Sequence, residues 1–168
     1  MSATEKQATA VLSAHLREEI DRWVTRFPPG RQRSAVLTAL RVAQHENGGY
    51  LTPELMDGIA AYLDMPSVQV YEVATFYSMF ETSPCGRHHV SICTNVSCML
   101  RGGNELLSHA EKTLGIKVGE STPDGRIFLK REEECLAACI GAPMAMVDHV
   151  YHENLTPEKL DELLEGLD

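Results

Sequence analysis

Four of the five cysteines in this 168-residue chain fall into two close pairs, Cys93 with Cys98 and Cys135 with Cys139. Thiolates are soft ligands, and four of them can serve iron in an iron–sulfur cluster or zinc in a closed tetrahedral site. A [2Fe–2S] cluster needs two thiolates per iron, so the natural assignment gives Cys93 and Cys98 to one iron and Cys135 and Cys139 to the other. A zinc site fits the same count, although its knuckles more often place two residues between cysteines. Spacing therefore leans to iron–sulfur and leaves zinc open. A redox dithiol would need that two-residue spacing beside a helix N-terminus, which neither pair has. Small buried apolar cysteines are common, but they account poorly for two matched pairs.

The elements that must position these thiols divide the chain in two. Residues 1–84 read as a helical region. Leu12, Leu16, Ile20, Trp23, Val24 and Phe27 form one apolar stripe, ended by Pro28, Pro29 and Gly30. Ser34 is placed to cap a second helix running to about Gln44. Thr52-Pro53-Glu54 is a strong start for a third, combining a capping hydroxyl, a proline that needs no N–H and an acid at the positive helix end. Pro66 and Ser67 open a fourth through Val70, Val73 and Phe76.

Residues 85–168 read as a cluster domain. Strands are expected at His88–Cys93, Ile116–Val118, Arg126–Lys130, Met144–Val147 and Val150–His152. A helix is expected over Asn104–Leu114, and another opens at Thr156-Pro157-Glu158 with Leu160, Leu163, Leu164 and Leu167 inward. This order suits a small α/β sandwich of thioredoxin-like shape. Each cysteine pair follows a strand, and Gly102, Gly103 and Gly141 allow close backbone approach, so that turn N–H groups can point at sulfur.

Three stretches carry a resemblance. They are Val73-Ala74-Thr75-Phe76-Tyr77, the run from Cys93 to Gly102, and Glu134-Cys135-Leu136-Ala137-Ala138-Cys139-Ile140-Gly141-Ala142-Pro143. In order and spacing they resemble the NuoE subunits of NADH:quinone oxidoreductase, respiratory complex I, over essentially the whole chain after the first ten residues. The resemblance implies a fold of mixed α and β type, a small helical bundle followed by a thioredoxin-like [2Fe–2S] ferredoxin domain. It implies one [2Fe–2S] cluster as cofactor, with FMN and NADH bound by a NuoF-type flavoprotein partner. Through that partner the chain would join the complex I peripheral arm. Many relatives have proline where Ser97 stands and glycine where Ala137 stands; neither is a ligand, so these departures bear on cluster potential and loop rigidity.

The remaining features narrow the function. The formal net charge of −9 argues against nucleic acid or anionic lipid as partners. No apolar run approaches the ~20 residues of a membrane span, and Met1–Ala10 lacks an apolar signal core, so the expected place is the cytoplasm, peripheral to the membrane through the complex. No Gly-x-Gly-x-x-Gly or Walker loop is present, so the chain is expected to have no NADH site of its own. No catalytic triad or carboxylate pair stands out. The expected role is an electron-transfer subunit of the NADH dehydrogenase module. The equivalent subunit of an NAD-linked formate dehydrogenase or hydrogenase is the alternative within that class, and a zinc scaffold the alternative outside it.

Other residues read two ways. Cys85 is expected to be structural rather than a ligand. His88 and His89 read as strand-edge surface groups, Met99, Met144 and Met146 as apolar packing near the cluster, and Glu132, Glu133 and Glu134 as a solvated loop. Tyr71, Phe76, Tyr77 and Phe80 are either core or a docking surface. The helices before Pro84 are expected to dock the flavoprotein, while residues from about Arg87 hold the cluster.

Overall fold

Capping and burial decide the helices of the first compact unit, which ends at Pro84. The computed structural model describes residues 10–132 and 135–168. Helix α1 spans Ala14–Val24 and is capped by Ser13, whose Oγ accepts from the Leu16 N–H at 2.9 Å. α2 spans Val36–Glu46 behind a single 3-10 turn, Gln32–Ala35. Ser34 therefore lies inside that turn rather than capping the helix, and the cap position falls to Ala35. α3, Pro53–Tyr62, starts as the Thr52-Pro53-Glu54 signal requires, with Thr52 Oγ1 accepting from Leu55 N–H at 3.3 Å. α4 spans Ser67–Phe76.

Leu16, Ile20, Ala39, Leu40, Ile59, Leu63, Val70 and Phe80 form one apolar core from all four helices and the segment after them. Burying each large side chain contributes about 1.5–3 kcal/mol, so this stripe, not helix propensity, holds the unit. The Gln44 side chain fastens the last segment, donating to Met79 O at 2.9 Å and accepting from Glu81 N–H at 2.7 Å. The four aromatics near the end of the unit divide: Phe80 is core, Tyr71 and Tyr77 pack against it, and Phe76 is 76% exposed.

The second unit, Cys85–Asp168, is a four-stranded mixed sheet. β1 (His88–Cys93) leads through a single turn α5 (Val96–Met99) and helix α6 (Gly103–Leu114) to β2 (Ile127–Glu132). β3 (Ala145–Val147), β4 (Val150–His152) and α7 (Pro157–Glu165) follow. The sheet order is β2-β1-β3-β4, parallel between β1 and β2 and antiparallel elsewhere. The β3–β4 hairpin turns at Asp148 and His149, both with positive φ (47° and 71°), which is the twist that tight hairpins need. Val90, Ile92, Ile127, Leu129, Ala145 and Val147 face Leu106, Ala110, Leu160 and Leu164, so α6 and α7 cover one sheet face.

Two expectations fail in this unit. Ile116–Val118 is no strand: the Glu120 carboxylate takes the Lys117 N–H at 2.7 Å, and Glu111 takes the Val118 N–H at 3.3 Å. With their donors held by side chains, these residues have no ladder to join. His88 and His89 are not at an edge, because β1 is an inner strand; His88 Nδ1 lies 2.6 Å from Asp148 Oδ2, and His89 Nε2 lies 3.1 Å from Cys85 Sγ. Among the described residues, no helix is long and apolar enough to cross a membrane.

Candidate metal centre

Both cysteine pairs lie where a strand gives way to a tight turn. Cys93 is the last residue of β1, and its N–H donates to Met144 O at 3.2 Å. Asn95 caps the turn that follows, its Oδ1 accepting from Val96 N–H at 2.8 Å, and the turn carries Cys98 inward. Gly103 then opens α6 against Cys93 and Cys98. A Cβ at Gly103 would lie 2.8 Å from Cys93 O and 2.9 Å from Cys98 C. Only a glycine admits this approach, which brings the positive end of a 12-residue helix beside the first pair.

The second pair sits on the loop from Cys135 into a 3-10 turn, Cys139–Gly141. Cys135 and Ala137 both carry positive φ (72° and 60°). That conformation turns the Ala137 N–H onto Cys135 Sγ at 3.4 Å, and Cys139 Sγ lies 3.4 Å from Cys135 Sγ. The loop is tied to the β4–α7 connection by Asn154 N–H to Gly141 O at 2.6 Å and Leu155 N–H to Pro143 O at 2.9 Å. Arg101 reaches across from the first segment, Nη1 donating to Ala142 O at 3.2 Å.

The four thiols meet. Cys93 and Cys98 share one apolar cluster with Cys135 packed against it, and Cys139 Sγ lies 3.4 Å from Cys135 Sγ. Cys93 and Cys98 are each 1% exposed and pack with Leu136, Ala142 and Met144, while Cys135 is half-buried and Cys139 exposed. One pair is thus inside and the other at the surface. Burial, then the hydrogen bond with Cys93, pushes the Cys98 thiol up to about 11, against a donated hydrogen bond from the Met144 backbone. The Ala137 N–H, then Cys139, draws the Cys135 thiol below the usual range. Among the described residues no three His, Cys, Asp or Glu side chains crowd about one point as a single ion would require. The donors form two adjoining pairs.

This donor set fits a [2Fe–2S] group. It offers four soft sulfurs in two pairs, backbone N–H groups aimed at two of them, and glycine where the helix must come close. Cys85 lies outside the set, its Sγ against His89. Met144 packs with the buried pair and Met146 flanks it, but Met99 is 44% exposed and is not part of that packing. Glu133 and Glu134 lie outside the described residues. Two contributors gave no sequence signal. Arg101 is fixed by a partner 41 positions away, and Glu153 lies over Gly141, with its Cδ 2.4 Å from where a Cβ would stand.

The thioredoxin-like [2Fe-2S] ferredoxin family model matches residues 20–168. The E 2 subunit of NADH-quinone oxidoreductase from Rhizobium meliloti (strain 1021) is 48% identical over 151 residues, covering 90% of this chain and 88% of the relative. The E subunit of the same enzyme from Rickettsia typhi (strain ATCC VR-144 / Wilmington) is 42% identical over 142 residues, covering 84% and 83%. In fold, the chain is similar to part of an NAD+-reducing [NiFe]-hydrogenase crystallised in the H2-reduced state. The TM-score is 0.64 at 23% identity over 75% of this chain, which spans only 21% of the hydrogenase chain. Four paired thiols on a mixed sheet, a family match over most of the chain and near full-length relatives agree: the chain belongs to the thioredoxin-like [2Fe-2S] ferredoxin family, among relatives that are E subunits of NADH-quinone oxidoreductase.

Proposed function

We propose that this chain is the electron-transfer subunit of an NADH-quinone oxidoreductase, with Cys93, Cys98, Cys135 and Cys139 as ligands of its [2Fe–2S] cluster. The observation that carries the ligand assignment is the gathering of the four thiols, with Cys93 and Cys98 buried in one cluster, Cys135 packed against it and Cys139 Sγ 3.4 Å from Cys135 Sγ. Bound there, the cluster supplies one-electron exchange with FMN in a NuoF-type flavoprotein that oxidises NADH. The chain's own part is to hold four thiolates, exclude water from the inner pair and aim N–H groups at sulfur.

The surface supports docking at this site. Ile140 is 92% exposed and Leu100 76%, with Val96 and Met99 also exposed, all on the two cysteine segments. Single exposed apolar residues are ordinary, but several flanking one site suit a protein partner. In the helical unit, exposed Val68, Phe76 and Met79 support a second docking role for those helices. Length and identity of the relatives favour the quinone-linked complex over a hydrogenase module, since the hydrogenase likeness is one of fold.

The test is direct. The full chain, purified without oxygen, is expected to carry about two iron and two sulfide and to absorb in the visible. NADH alone is expected to leave it oxidised, and NADH with the flavoprotein to reduce it. A colourless chain holding zinc, or reduction by NADH without flavoprotein, would overturn the reading.

A further inference from the structure

We propose that Arg101 is a positioning residue for the cluster: its guanidinium clasps the second cysteine segment to the first and holds a positive charge that raises the reduction potential. The inference rests on the reading of the four cysteines as ligands. The clasp is visible in the hydrogen bonds. The Arg101 backbone N–H donates to Cys98 O at 3.0 Å, and its side-chain Nη1 donates to Ala142 O at 3.2 Å. Ala142 N–H in turn donates to Cys139 O at 3.3 Å, and Ala142, 1% exposed, packs in the same apolar cluster as Cys93 and Cys98. One side chain therefore joins a residue bonded to the first pair with a residue bonded to the second.

The charge matters because of what surrounds it. From Cys93 to Gly103 and from Cys135 to Met144 the sequence holds one charged side chain, Arg101. The unit carries eight Lys and Arg against fourteen Asp and Glu from Cys85 to Asp168. Two carboxylates from outside these segments approach them, Glu153 over Gly141 and Glu105 beside Gly102, and both have the opposite sign. Reduction adds one negative charge, so a fixed cation beside the site favours the reduced form and a fixed anion disfavours it. Four thiolates already make the site anionic, so a cation beside it acts on reduction even though Arg101 is exposed and its charge is screened by salt.

The full chain with its cluster, and R101K, R101Q and R101M, would be compared by iron and sulfide content, one-electron potential and the rate of iron loss to a chelator. R101K keeps the charge and R101Q keeps a neutral donor. The expected result is a potential near wild type in R101K and a negative shift in R101Q and R101M. That shift would be on the order of a tenfold change in the oxidised-to-reduced ratio, about 59 mV for one electron. It should shrink in ~1 M salt, where the Debye length falls to about 3 Å. Iron loss should quicken several-fold in R101M, which neither donates nor carries charge. Equal potentials in R101K and R101Q would overturn the electrostatic role, and unchanged iron loss in R101M would overturn the clasp. If R101M assembles no cluster, the clasp stands and the other two variants still decide the charge. A wild-type chain without iron and sulfide would instead overturn the ligand reading itself.

Discussion

The Ala137 N–H donates to Cys135 Sγ at 3.4 Å while Ala137 sits at φ 60° and Cys135 at φ 72°. Neither residue is glycine, and the left-handed conformation costs a residue with a Cβ about 1–2 kcal/mol. The turn accepts that cost in order to aim an N–H at a proposed ligand.

Ala137→Gly should therefore stabilise the second loop. Relief of about 1–2 kcal/mol is offset by the roughly 0.5–1 kcal/mol of extra chain entropy that glycine loses on folding, leaving a gain of about 0.5–1 kcal/mol. Slower iron loss to a chelator at an unchanged visible spectrum would show it. Ala137→Val should do the reverse, since a β-branched side chain tolerates positive φ least. If Gly and Val behave alike, the φ argument is wrong.

Replacing Cys93, Cys98, Cys135 or Cys139 by alanine should each abolish cluster assembly, read as iron, sulfide and visible absorbance. Cys85→Ala should leave all three intact. Its thiol contacts His89 Nε2 at 3.1 Å and lies outside the gathering of the four thiols. The loss of that half-buried contact is expected to cost about 1 kcal/mol. A Cys85→Ala chain without cluster would sink the assignment.

What could be read in the sequence was local. Thr52 and Thr156 announce helix starts because the cap, the proline and the acid stand within three residues, and both hydroxyls accept as expected. The cysteine pairs announce soft-metal chemistry because spacing alone carries it. The rest depends on partners far away in the chain. Ile116 has the look of a strand residue, yet Glu111 and Glu120 take the N–H groups that follow it. The turn Val96–Met99, which carries Cys98, has no sequence signal of its own, and it leaves Met99 exposed instead of packed by the cluster. Arg101 and Glu153 look like ordinary surface charges until Ala142 and Gly141 are placed beside them.

The helical unit should show a pH signature of its own. His15 Nδ1 lies 2.5 Å from Glu46 Oε1, and Ser13 Oγ donates to Glu46 Oε2 at 2.7 Å, joining the start of α1 to the end of α2. The hydrogen bond with Glu46 raises the His15 pKa, only partly opposed by desolvation. Burial acts to raise Glu46, but the Ser13 and His15 hydrogen bonds outweigh it, and the net shift is downward. For His15 the stabilisation is present below about pH 6.5, its ordinary value, and is lost as pH rises through the raised folded value. For Glu46 it is present above about pH 4.5, its ordinary value, and lost as pH falls through the depressed one. The pair thus stabilises most between those limits, modestly because it is solvent-exposed. Thermal unfolding of Glu46→Gln across this range should show a flatter profile than wild type; parallel profiles would show that the pair does not couple to folding.

The two glycines nearest the cysteines should respond oppositely to one added methyl group. At Gly103 a Cβ would stand 2.8 Å from Cys93 O and 2.9 Å from both Cys98 C and Cys98 O, all backbone atoms. Neither residue can retreat, because Cys93 is fixed in β1 by pairing on both sides and Cys98 is locked in the capped turn after Asn95. Gly103→Ala must therefore push α6 away from the first pair, and overpacking of this kind costs about 1–3 kcal/mol or more. At Gly141 the clash is closer, 2.4 Å, but the atoms met are Cγ, Cδ and Oε2 of Glu153, the movable end of a flexible side chain. Rotation of that side chain relieves it for well under the cost at Gly103. The expected result is that Gly103→Ala loses most of its iron and sulfide, whereas Gly141→Ala retains its cluster with a small change in melting temperature. A Gly103→Ala chain with full cluster content would show that the close approach of α6 is not what holds Cys93 and Cys98 in place.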